Sequence, residues 1–551
     1  MSIHSRLRPA VLLRHAIRNQ RRMKHSTAYV TTPIYYVNAV PHIGHLYSSV
    51  IADTLKRYYA LKGADAYLCT GTDEHGLKIQ QAAAKNNASP LDFCDRVSES
   101  FRQLCDAADI SYTTFIRTTE PRHAKAVAAL WTELEKNGYI YKGKHEGWYA
   151  VSDEAFYASN QVKEAIDEKT SEKVMVAIES GQRVEWTEEE NYKFKLSAFQ
   201  EPLLKWINDN PTAIVPGNRR NEVTSWIKAG LSDLSVSRLR SRLDWGIPVP
   251  SDPGHTIYVW LDALANYLTA NGYPWPNKEN SVSDSQVANV WPADVHVVGK
   301  DIVRFHAIYW PAFLMAAQLP LPKQILAHAH WTMGKQKMSK SRGNVADPFE
   351  VMDTYGVDPV RYYLVRDGGF ADDGDYSEDN IIKRYKDLAG QLGNLLNRST
   401  APALNPNAIA PAMPQNVGAR DQTLHAKLAA LPDTYDQSFE AREFGKGLAA
   451  VFDMLAEANK HFQDNKPWDL AKDPAQKERL DQVLYYAIES CRVAGILLQP
   501  VLPSKMDTLL TRLGVPKGKR SLSDAQPSRE KQVERPLGES RETVLFPRLK
   551  K

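Results

Sequence analysis

The sequence predicts an α/β protein with a doubly wound parallel sheet, a domain inserted between the two halves of that sheet, and an α-helical bundle after it. Three observations support this prediction. Strand-like and helix-like segments alternate over residues 29–138, which is the pattern of parallel strands joined by crossover helices. Short strand-like pieces and charged turns follow over residues 141–223. Apolar residues then recur at helical spacing over residues 380–500, which predicts a bundle.

The individual elements follow from local composition. Alternating or β-branched runs predict strands, and helical periodicity ending at Gly63 or Gly138 predicts helices. In the first half of the sheet, strands are predicted at residues 29–37, 65–70 and 112–117, and helices at 45–61, from 77 to about 108, and 122–137. In the second half, strands are predicted at residues 256–260, 295–298 and 324–331.

These patterns divide the chain into consecutive regions. We predict a leader at 1–25, the first half of the sheet at 26–140, the insertion at 141–223, the second half at 224–340, a linker at 341–379 and the helical domain with a C-terminal tail at 380–551. Residues 514–543 are rich in charge, Pro and Gly and are expected to form an exposed linker. The apolar tail at 544–549 is expected to dock on the body of the protein.

Two short motifs indicate the chemistry. The first is His42-Ile43-Gly44-His45, and the second, almost 300 positions later, is Lys337-Met338-Ser339-Lys340-Ser341. Either motif alone is more often a plain helix start or a solvated loop. Together, in this order and within a nucleotide-binding pattern, they predict activation of an amino acid by ATP for attachment to tRNA.

The residue types suit that reaction. When a carboxylate attacks the α-phosphorus of ATP, charge grows on phosphate oxygens, so catalysis depends on positioning and electrostatic stabilisation. His42 and His45 lie three residues apart at a helix N-terminus, where the helix dipole favours phosphate, and Gly44 leaves room for a nucleotide. Lys337 and Lys340 are compact charges on long stems that suit a triphosphate.

The first 25 residues predict targeting to mitochondria. They contain seven Arg and Lys residues, and no acidic residue occurs before Asp53. A helical wheel over residues 12–23 separates the arginines from an apolar face, which is typical of a mitochondrial transit peptide. The alternative is a disordered basic arm that binds RNA, but such an arm has no use for an apolar face.

Overall composition is that of a globular protein. The chain has 551 residues, 43% hydrophobic and 24% charged, with a net charge of +4, which is compatible with RNA binding without indicating it. No run of about 18 apolar residues predicts a membrane span. Four scattered cysteines form no CxxC pair, so neither a disulfide framework nor a thiolate zinc site is indicated.

With these motifs the chain resembles the class I aminoacyl-tRNA synthetases, and among them the methionyl-tRNA synthetases of mitochondrial type. The resemblance extends over residues 28–549. Besides the two motifs it is carried by residues 31–38 (TTPIYYVN), 71–76 (GTDEHG), 258–263 (YVWLDA), 299–306 (GKDIVRFH), 393–398 (GNLLNR) and 466–468 (KPW). It implies a Rossmann-like catalytic domain, a linker that contacts the tRNA stem, and a helical domain that binds the anticodon.

The resemblance also implies roles for matching residues. The methionine site would comprise Pro33, Ile34, Tyr36, Asp73, Trp260, Ala263, Tyr267, Ile302 and His306. The ATP site would comprise His42, Gly44, His45, Gly299, Lys300, Asp301, Lys337, Ser339 and Lys340, with His42, His45, Lys337 and Lys340 as catalytic residues. Asp301 would bind the ribose hydroxyls, and Asp73 would bind the substrate ammonium. Asn394, Arg398 and Trp468 would read the anticodon.

Plainer explanations exist for several of these residues. Trp260 and Tyr267 could be ordinary core aromatics, Asp73 a helix N-cap, and Trp468 a helix-start residue after Pro467. The flanking matches favour the functional assignments.

Further expectations concern cofactors and assembly. ATP is expected with Mg²⁺, and no structural zinc or other bound metal is expected, because the insertion has no cysteine. The insertion is too short for a hydrolytic editing domain, and we expect a monomer. The predicted partners are methionine, ATP and the methionine tRNA in the mitochondrial matrix, without a membrane. The rival functions are a class I synthetase for another amino acid and a catalytically silent tRNA-binding protein; the second predicts damaged signature residues, and here all are intact.

Overall fold

The computed structural model describes residues 26–150, 155–157, 159–167, 172–178, 180–275, 290–338, 346–526, 534–538 and 544–549. The predicted leader lies outside these residues, and so do the signature residues Ser339, Lys340 and Ser341.

A seven-stranded sheet forms the centre of the catalytic half. Its order across the sheet is Ile214–Val215, Ile325–His328, Val295–Gly299, Thr27–Thr31 and Asp65–Asp73, with Tyr35–Tyr36 and Thr114–Arg117 both paired to Asp65–Asp73. Every pair in this sheet is parallel. Because parallel strands require crossover connections, helices cover the sheet, and the carboxyl ends of the strands meet along one edge. This confirms the predicted fold class.

The crossover helices of the first half lie close to where the sequence predicts them, except that the single helix predicted from 77 to about 108 is two helices. They are Ile43–Leu61, Leu77–Lys85, Pro90–Ala107 and Pro121–Lys136. Most of Ile43–Leu61 is buried, including Leu46, Val50 and Leu55, because this helix packs between the sheet and the helical domain. Ser89 caps Pro90–Ala107 through the Asp92 amide.

An antiparallel sheet follows the first half. Its order is Leu234–Ser235, Glu185–Phe194, Ile140–Ala150 and Ala155–Tyr157, and a separate hairpin pairs Val162–Ile166 with Lys173–Ala177. The sheet and the predicted insertion of residues 141–223 do not coincide. Antiparallel pairing extends from residue 140 to residue 235, whereas Ile214–Val215 already belongs to the central sheet. A two-residue strand such as Ile214–Val215 is too short to show a strand pattern in the sequence.

One predicted strand is wrong. Residues 256–260 were expected to continue the central sheet, but Asp252–Ile257 pairs in a small antiparallel sheet with Ser237–Leu239 and Pro248–Val249. The next residues form the helix Val259–Leu264, so Trp260 is helical. The aromatic and β-branched run favours a strand locally. Tertiary contacts overrule it, because this turn of helix places Asp262 against two buried histidines.

The described residues from 380 to 500 are mostly helical, as predicted, and helices also occur on both sides of this range. The α-helices are Pro348–Tyr355, Val357–Asp367, Glu378–Asp387, Asn394–Ser399, Gln422–Glu440, Phe444–Asp464, Pro467–Leu470, Lys477–Leu498 and Pro503–Arg512. A π-helical segment, Leu388–Gly393, joins two of them into one rod from Glu378 to Ser399.

The described part of residues 514–543 is folded, which corrects the prediction of an exposed linker. Arg535–Pro536 pairs with Ile409–Ala410, and the buried Arg520 donates to the Val515 carbonyl at 2.6 Å and 2.9 Å. The prediction that the tail docks is confirmed, since Leu545 and Phe546 are buried in the main core.

Candidate active site

Two histidines cap the N-terminus of the helix Ile43–Leu61. His42 is the N-cap, and its Nδ1 accepts a hydrogen bond from the Gly44 amide at 3.1 Å. The His42 amide donates to Nδ1 of His45, also at 3.1 Å, so the pair forms a reciprocal capping box. The rings stack with centroids 3.8 Å apart. Since Nδ1 accepts in both rings, each neutral imidazole carries its proton on Nε2 as a further hydrogen-bond donor.

Gly44 is required by this capping geometry. A Cβ atom at Gly44 would lie 2.9 Å from Cε1 and 3.0 Å from Nδ1 of His42. A larger residue would therefore push the His42 ring away from the amide that it caps. His45 is held on its other side by edge contacts with Tyr35 and Phe101, at centroid distances of 5.0 Å and 5.1 Å.

A charged turn follows the strand Val295–Gly299 at the carboxyl edge of the sheet. Lys300 Nζ donates to both carboxylate oxygens of Asp373, at 2.6 Å and 2.9 Å. Asp301 Oδ1 lies 3.1 Å from His330 Nε2. Desolvation raises the pKa of Asp301, but the hydrogen bond and charge of His330 outweigh it and lower the pKa to about 2. A Cβ at Gly299 would meet Asp301 Oδ1 at 2.6 Å, so a larger residue there would displace the Asp301 carboxylate.

His328 connects the two halves of the sheet beside the capping histidines. Its Nδ1 donates to the Ala329 carbonyl at 2.8 Å, and its Nε2 accepts from the Ser48 hydroxyl at 2.7 Å. Burial lowers the pKa of His328 to about 4, so the ring is neutral near pH 7. This contact ties the helix that carries His45 to the strand Ile325–His328.

Tyr267, Ile302 and His306 form one side of the predicted methionine pocket. The Tyr267 hydroxyl donates to His306 Nε2 at 2.7 Å, and His306 Nδ1 donates to the Ile302 carbonyl at 2.9 Å. Both His306 and Tyr267 are 1% exposed. Burial lowers the pKa of His306 to about 4, so this wall carries no charge at neutral pH.

Aromatic rings form the next part of the pocket. Trp260 stacks on Phe305 with centroids 3.6 Å apart and nearly parallel planes. The Trp260 and His306 rings meet edge to face, with centroids 6.4 Å apart. Trp260, Ile302 and Tyr36 are partly buried and pack against the core that contains Tyr267. The rest of the predicted set agrees in burial: Ala263 is buried, and Pro33 and Ile34 are partly buried between the first strand and Tyr35–Tyr36.

Asp73 is the last residue of the strand Asp65–Asp73 and pairs in register with Tyr36. It is buried, and it is not a helix cap, because the next helix begins at Leu77 with Gly76 as its N-cap. The alternative role for Asp73 is therefore wrong.

A buried network connects the Asp73 turn to the helix of Trp260. Asp262 accepts from His75 Nδ1 and His123 Nε2, each at 2.7 Å, and His123 Nδ1 lies 2.9 Å from the Thr269 hydroxyl. Burial raises the pKa of Asp262, but the two histidines outweigh it and lower the pKa to about 2. An ionised carboxylate buried between two imidazoles is held by both, which fixes the helix Val259–Leu264 against the end of the strand.

The signature motif begins on a hairpin, which we call the signature hairpin: Trp331–Met333 paired with Gln336–Lys337. Gly334 and Lys335 form its turn, both with positive φ (59° and 60°), as in the type I′ turns of two-residue hairpins. The roles predicted for Ser339 and Lys340 fall outside the described residues and stay predictions.

The predicted anticodon residues share a surface of the helical domain, and three contacts of Arg398 describe it. Arg398 lies over the Phe462 ring at 4.7 Å and the Trp468 ring at 5.8 Å, and it donates to Gln463 Oε1 at 3.1 Å. Asn394 is exposed one helical turn before Arg398. Trp468 is 36% exposed at the start of Pro467–Leu470. A planar cation beside an exposed indole suits the stacking of a splayed base.

Sequence reasoning missed several residues that the fold brings to this site. They are Ser48, His328, His330, Asp373 and Asp375. Two histidines, His328 at the end of the buried strand Ile325–His328 and His330 just after it, were an available signal. The two aspartates follow no strand pattern and could not be found in this way.

Among the described residues, no cluster of three or more His, Cys, Asp or Glu side chains could hold a metal ion. None of the helices that the structure describes is long and apolar enough to cross a membrane. The site thus combines histidine N–H donors, a lysine and an exposed carboxylate with an uncharged aromatic cluster near a buried carboxylate. These groups can bind a nucleotide and, next to it, a zwitterion with an apolar side chain.

Comparison with known proteins identifies the relatives of this chain. A family model for class I tRNA synthetases of the M type matches residues 28–400, and a model for the anticodon-binding domain of methionyl-tRNA ligase matches residues 411–538. The mitochondrial methionine–tRNA ligase of Homo sapiens is 47% identical over 516 residues, covering 90% of this chain and 85% of that protein. The methionine–tRNA ligase of Rickettsia felis is 46% identical over 502 residues, covering 90% and 93%.

Solved structures agree with this assignment. Mycobacterium tuberculosis methionyl-tRNA synthetase in complex with methionyl-adenylate matches with a TM-score of 0.88 at 39% identity, over 95% of this chain and all of the other. The free state of that enzyme matches with a TM-score of 0.82 at 36% identity, over 97% of this chain.

Proposed function

Since the chain belongs to the class I methionyl-tRNA synthetases, we propose that it charges the methionine tRNA of mitochondria through the site formed by the carboxyl edge of its central sheet. Family membership establishes the reaction: the enzyme is a methionine–tRNA ligase that consumes ATP and forms aminoacyl-tRNA. The side chains at this edge bind methionine and ATP side by side and activate the methionine carboxylate.

The observation that supports this site best is the convergence of three distant segments on one edge of the sheet. The histidine pair lies at the start of the helix Ile43–Leu61, and the Gly299–Asp301 turn lies at the end of the strand Val295–Gly299. His328 links the two, because it bonds Ser48 of the helix and pairs in register with Gly299. Ligands of doubly wound sheets bind outside the carboxyl ends of the strands, where the order of the strands reverses. The first strand, Thr27–Thr31, has one neighbour from each half of the sheet, so the reversal lies at this point.

Methionine recognition rests on an apolar pocket with one charge at its entrance. Trp260, Tyr267 and a neutral His306 surround the thioether, which is polarisable and packs well on aromatic edges. A charged imidazole here would have to be desolvated, so the lowered pKa of His306 serves an apolar substrate. Asp73 binds the ammonium group through a charge-assisted hydrogen bond. Pro33, Ile34, Tyr36, Ala263 and Ile302 complete the walls.

Adenylate formation then depends on placing the triphosphate. The methionine carboxylate attacks the α-phosphorus and pyrophosphate leaves, and the growing negative charge is stabilised by fixed donors. The Nε2–H groups of His42 and His45 supply such donors, and the dipole of the helix adds to them. Lys337 and Lys340, with Ser339, bind the pyrophosphate side, and Asp301 binds the ribose.

Mg²⁺ enters with ATP as part of the substrate. The described residues offer separate carboxylates such as Asp301 and no dedicated ligand cage. That fits an ion held chiefly by phosphate oxygens and water, which is the usual mode of Mg²⁺.

Recognition of tRNA rests on the surface of Asn394, Arg398 and Trp468. Asn and Arg can bond base edges, and the exposed indole can stack a base. The methionyl group is transferred to the terminal ribose of the tRNA, with the 2′-hydroxyl as the first nucleophile by class resemblance.

We further propose that the enzyme acts as a monomer in the mitochondrial matrix. The mitochondrial names of its relatives and the basic, acid-free leader support this compartment. Residues 1–25 fused to a fluorescent reporter should direct it into a protease-protected matrix fraction, and light scattering should give the mass of one chain.

The function is tested by ATP–pyrophosphate exchange on the purified chain with each of the twenty amino acids and homocysteine. We expect exchange with methionine, and weaker exchange with homocysteine, because one methyl group is worth only about 1–3 kcal/mol in an apolar pocket. Strong exchange with another amino acid would refute the pocket assignment. Exchange with none would favour a silent tRNA-binding protein.

A further inference from the structure

A short acidic segment joins the two parts of the nucleotide site that come from different regions of the chain. We call residues 373–376 the acidic strand; its strand portion, Gly374–Tyr376, pairs in parallel with Trp331–Met333 of the signature hairpin. The register places Gly374 opposite Trp331 and Asp375 opposite Thr332. The signature hairpin is thus one side of a three-stranded sheet whose other edge is the acidic strand.

Asp375 contacts the turn of the signature hairpin. Its Oδ1 accepts from the Lys335 amide at 2.9 Å and from the Thr332 hydroxyl at 2.8 Å. The hydrogen bond from the Lys335 amide, followed by that from Thr332, lowers the pKa of the exposed Asp375 carboxyl, so it is ionised at neutral pH.

The hydrogen bond from the Lys335 amide to Asp375 lies at the turn of the signature hairpin. Lys335 has φ 60°, which is unfavourable for a residue with a Cβ, and the turn is held only if the surrounding structure supports it. The Asp375 carboxylate accepts a hydrogen bond from the amide of Lys335 itself. Lys337 follows two residues later on the strand Gln336–Lys337, so the turn determines where the strand of Lys337 runs.

The acidic strand is itself anchored to the body of the protein. The buried Tyr363 donates its hydroxyl to the Asp375 carbonyl at 3.4 Å and accepts from the Ser377 amide at 3.1 Å. At the other end, Asp373 accepts from Lys300 at 2.6 Å and from the His330 amide at 2.9 Å. The strand therefore has a fixed position relative to the Gly299–Asp301 turn.

We propose that Asp375 is a positioning residue for adenylate formation: its carboxylate holds the turn of the signature hairpin so that Lys337 is set at a fixed place relative to Lys300 and Asp301. Asp375 contacts no substrate in this scheme and acts through the hairpin. The proposal rests on the proposed role of Lys337 in binding the triphosphate.

The test compares four variants of the full chain in pyrophosphate exchange: D375A, D375N, K337A and, as a matched control, D372A, which removes an exposed carboxylate from the same loop. D375A loses two hydrogen bonds to a charged acceptor and should lower kcat by roughly 10-fold, with KM for methionine within about 2-fold of the parent. D375N keeps an acceptor oxygen for both bonds and should recover most of that loss. D372A should match the parent.

The outcomes separate this inference from the function on which it rests. Normal exchange by K337A would refute the role of the hairpin lysine. Impaired K337A with normal D375A would overturn only the role of Asp375. Equal losses in D375A and D375N, with a lower melting temperature and weaker methionine binding in both, would mean that Asp375 supports the fold and does not position the hairpin.

Discussion

Replacing Tyr267 by Phe tests how the methionine pocket is held. The change removes one hydroxyl, which donates to His306 Nε2 at 2.7 Å between two side chains that are each 1% exposed. Without that donor the imidazole keeps only its bond to the Ile302 carbonyl, and a buried acceptor is left unsatisfied at a cost of about 1–3 kcal/mol. Because His306 faces the thioether in the proposed pocket, we expect KM for methionine to rise in pyrophosphate exchange, and the upper bound is roughly 5- to 150-fold, reached when the whole cost falls on the methionine complex. The KM for ATP should not change.

Tyr29→Phe provides the matched control. It removes an equally buried hydroxyl, which donates to the Tyr267 carbonyl at 3.2 Å and not to His306. Y29F should lower stability with little effect on KM for methionine. The reasoning would be refuted if Y267F bound methionine normally, or if Y29F raised KM for methionine as much as Y267F did.

Three further predictions concern other residues of the site. Asp73→Asn should lower kcat/KM for methionine at least about 10-fold by weakening a charge-assisted bond worth about 1.5–3 kcal/mol, and an unchanged value in the exchange assay would exclude Asp73 as the ammonium ligand. Arg398→Gln should lower kcat/KM for tRNA in aminoacylation at least about 10-fold and leave exchange intact, whereas parallel losses in both assays would contradict an anticodon role. The pKa of His328 is lowered to about 4, so the unfolded chain takes up a proton below its usual pKa near 6.5 before the native chain does. The stabilisation from a neutral His328 is complete above pH 6.5, and about 3 kcal/mol of it is lost as the pH falls to about 4. His328→Gln should therefore flatten the pH dependence of the melting temperature over that range. An unaltered profile would disprove this prediction.

The signature residues of the site were predictable because they carry local patterns. His42 and His45 lie at a helix start, so their type and spacing suggest phosphate contacts. The roles of Gly299, Lys300 and Asp301 at the nucleotide, with Asp301 on the ribose, were implied by the family resemblance. Their partners were not predictable in the same way. His330 and Asp373 reach Asp301 and Lys300 across 29 and 73 positions, and nothing in the intervening sequence marks the contact.

The position of Trp260 shows the limit of local propensity. A run of β-branched and aromatic residues favours a strand at residues 256–260, yet the chain turns into the helix Val259–Leu264 because Asp262 is bound by His75 and His123. Charge-rich residues after 514 likewise suggested an exposed linker, but Arg520 is buried through bonds to the Val515 carbonyl.

By itself, the sequence determined the fold class, the alternation of the first half of the sheet, the helical second part and the family to which the chain belongs. These depend on periodicity and short motifs, which are set by residues close together in the chain. Only the tertiary structure decided that Ile214–Val215 joins the central sheet, that Asp375 holds the signature hairpin, and that His306 and His328 are neutral. Burial and hydrogen bonding between distant segments set these properties. Both depend on which segments pack together in the folded chain, and local sequence patterns do not show this.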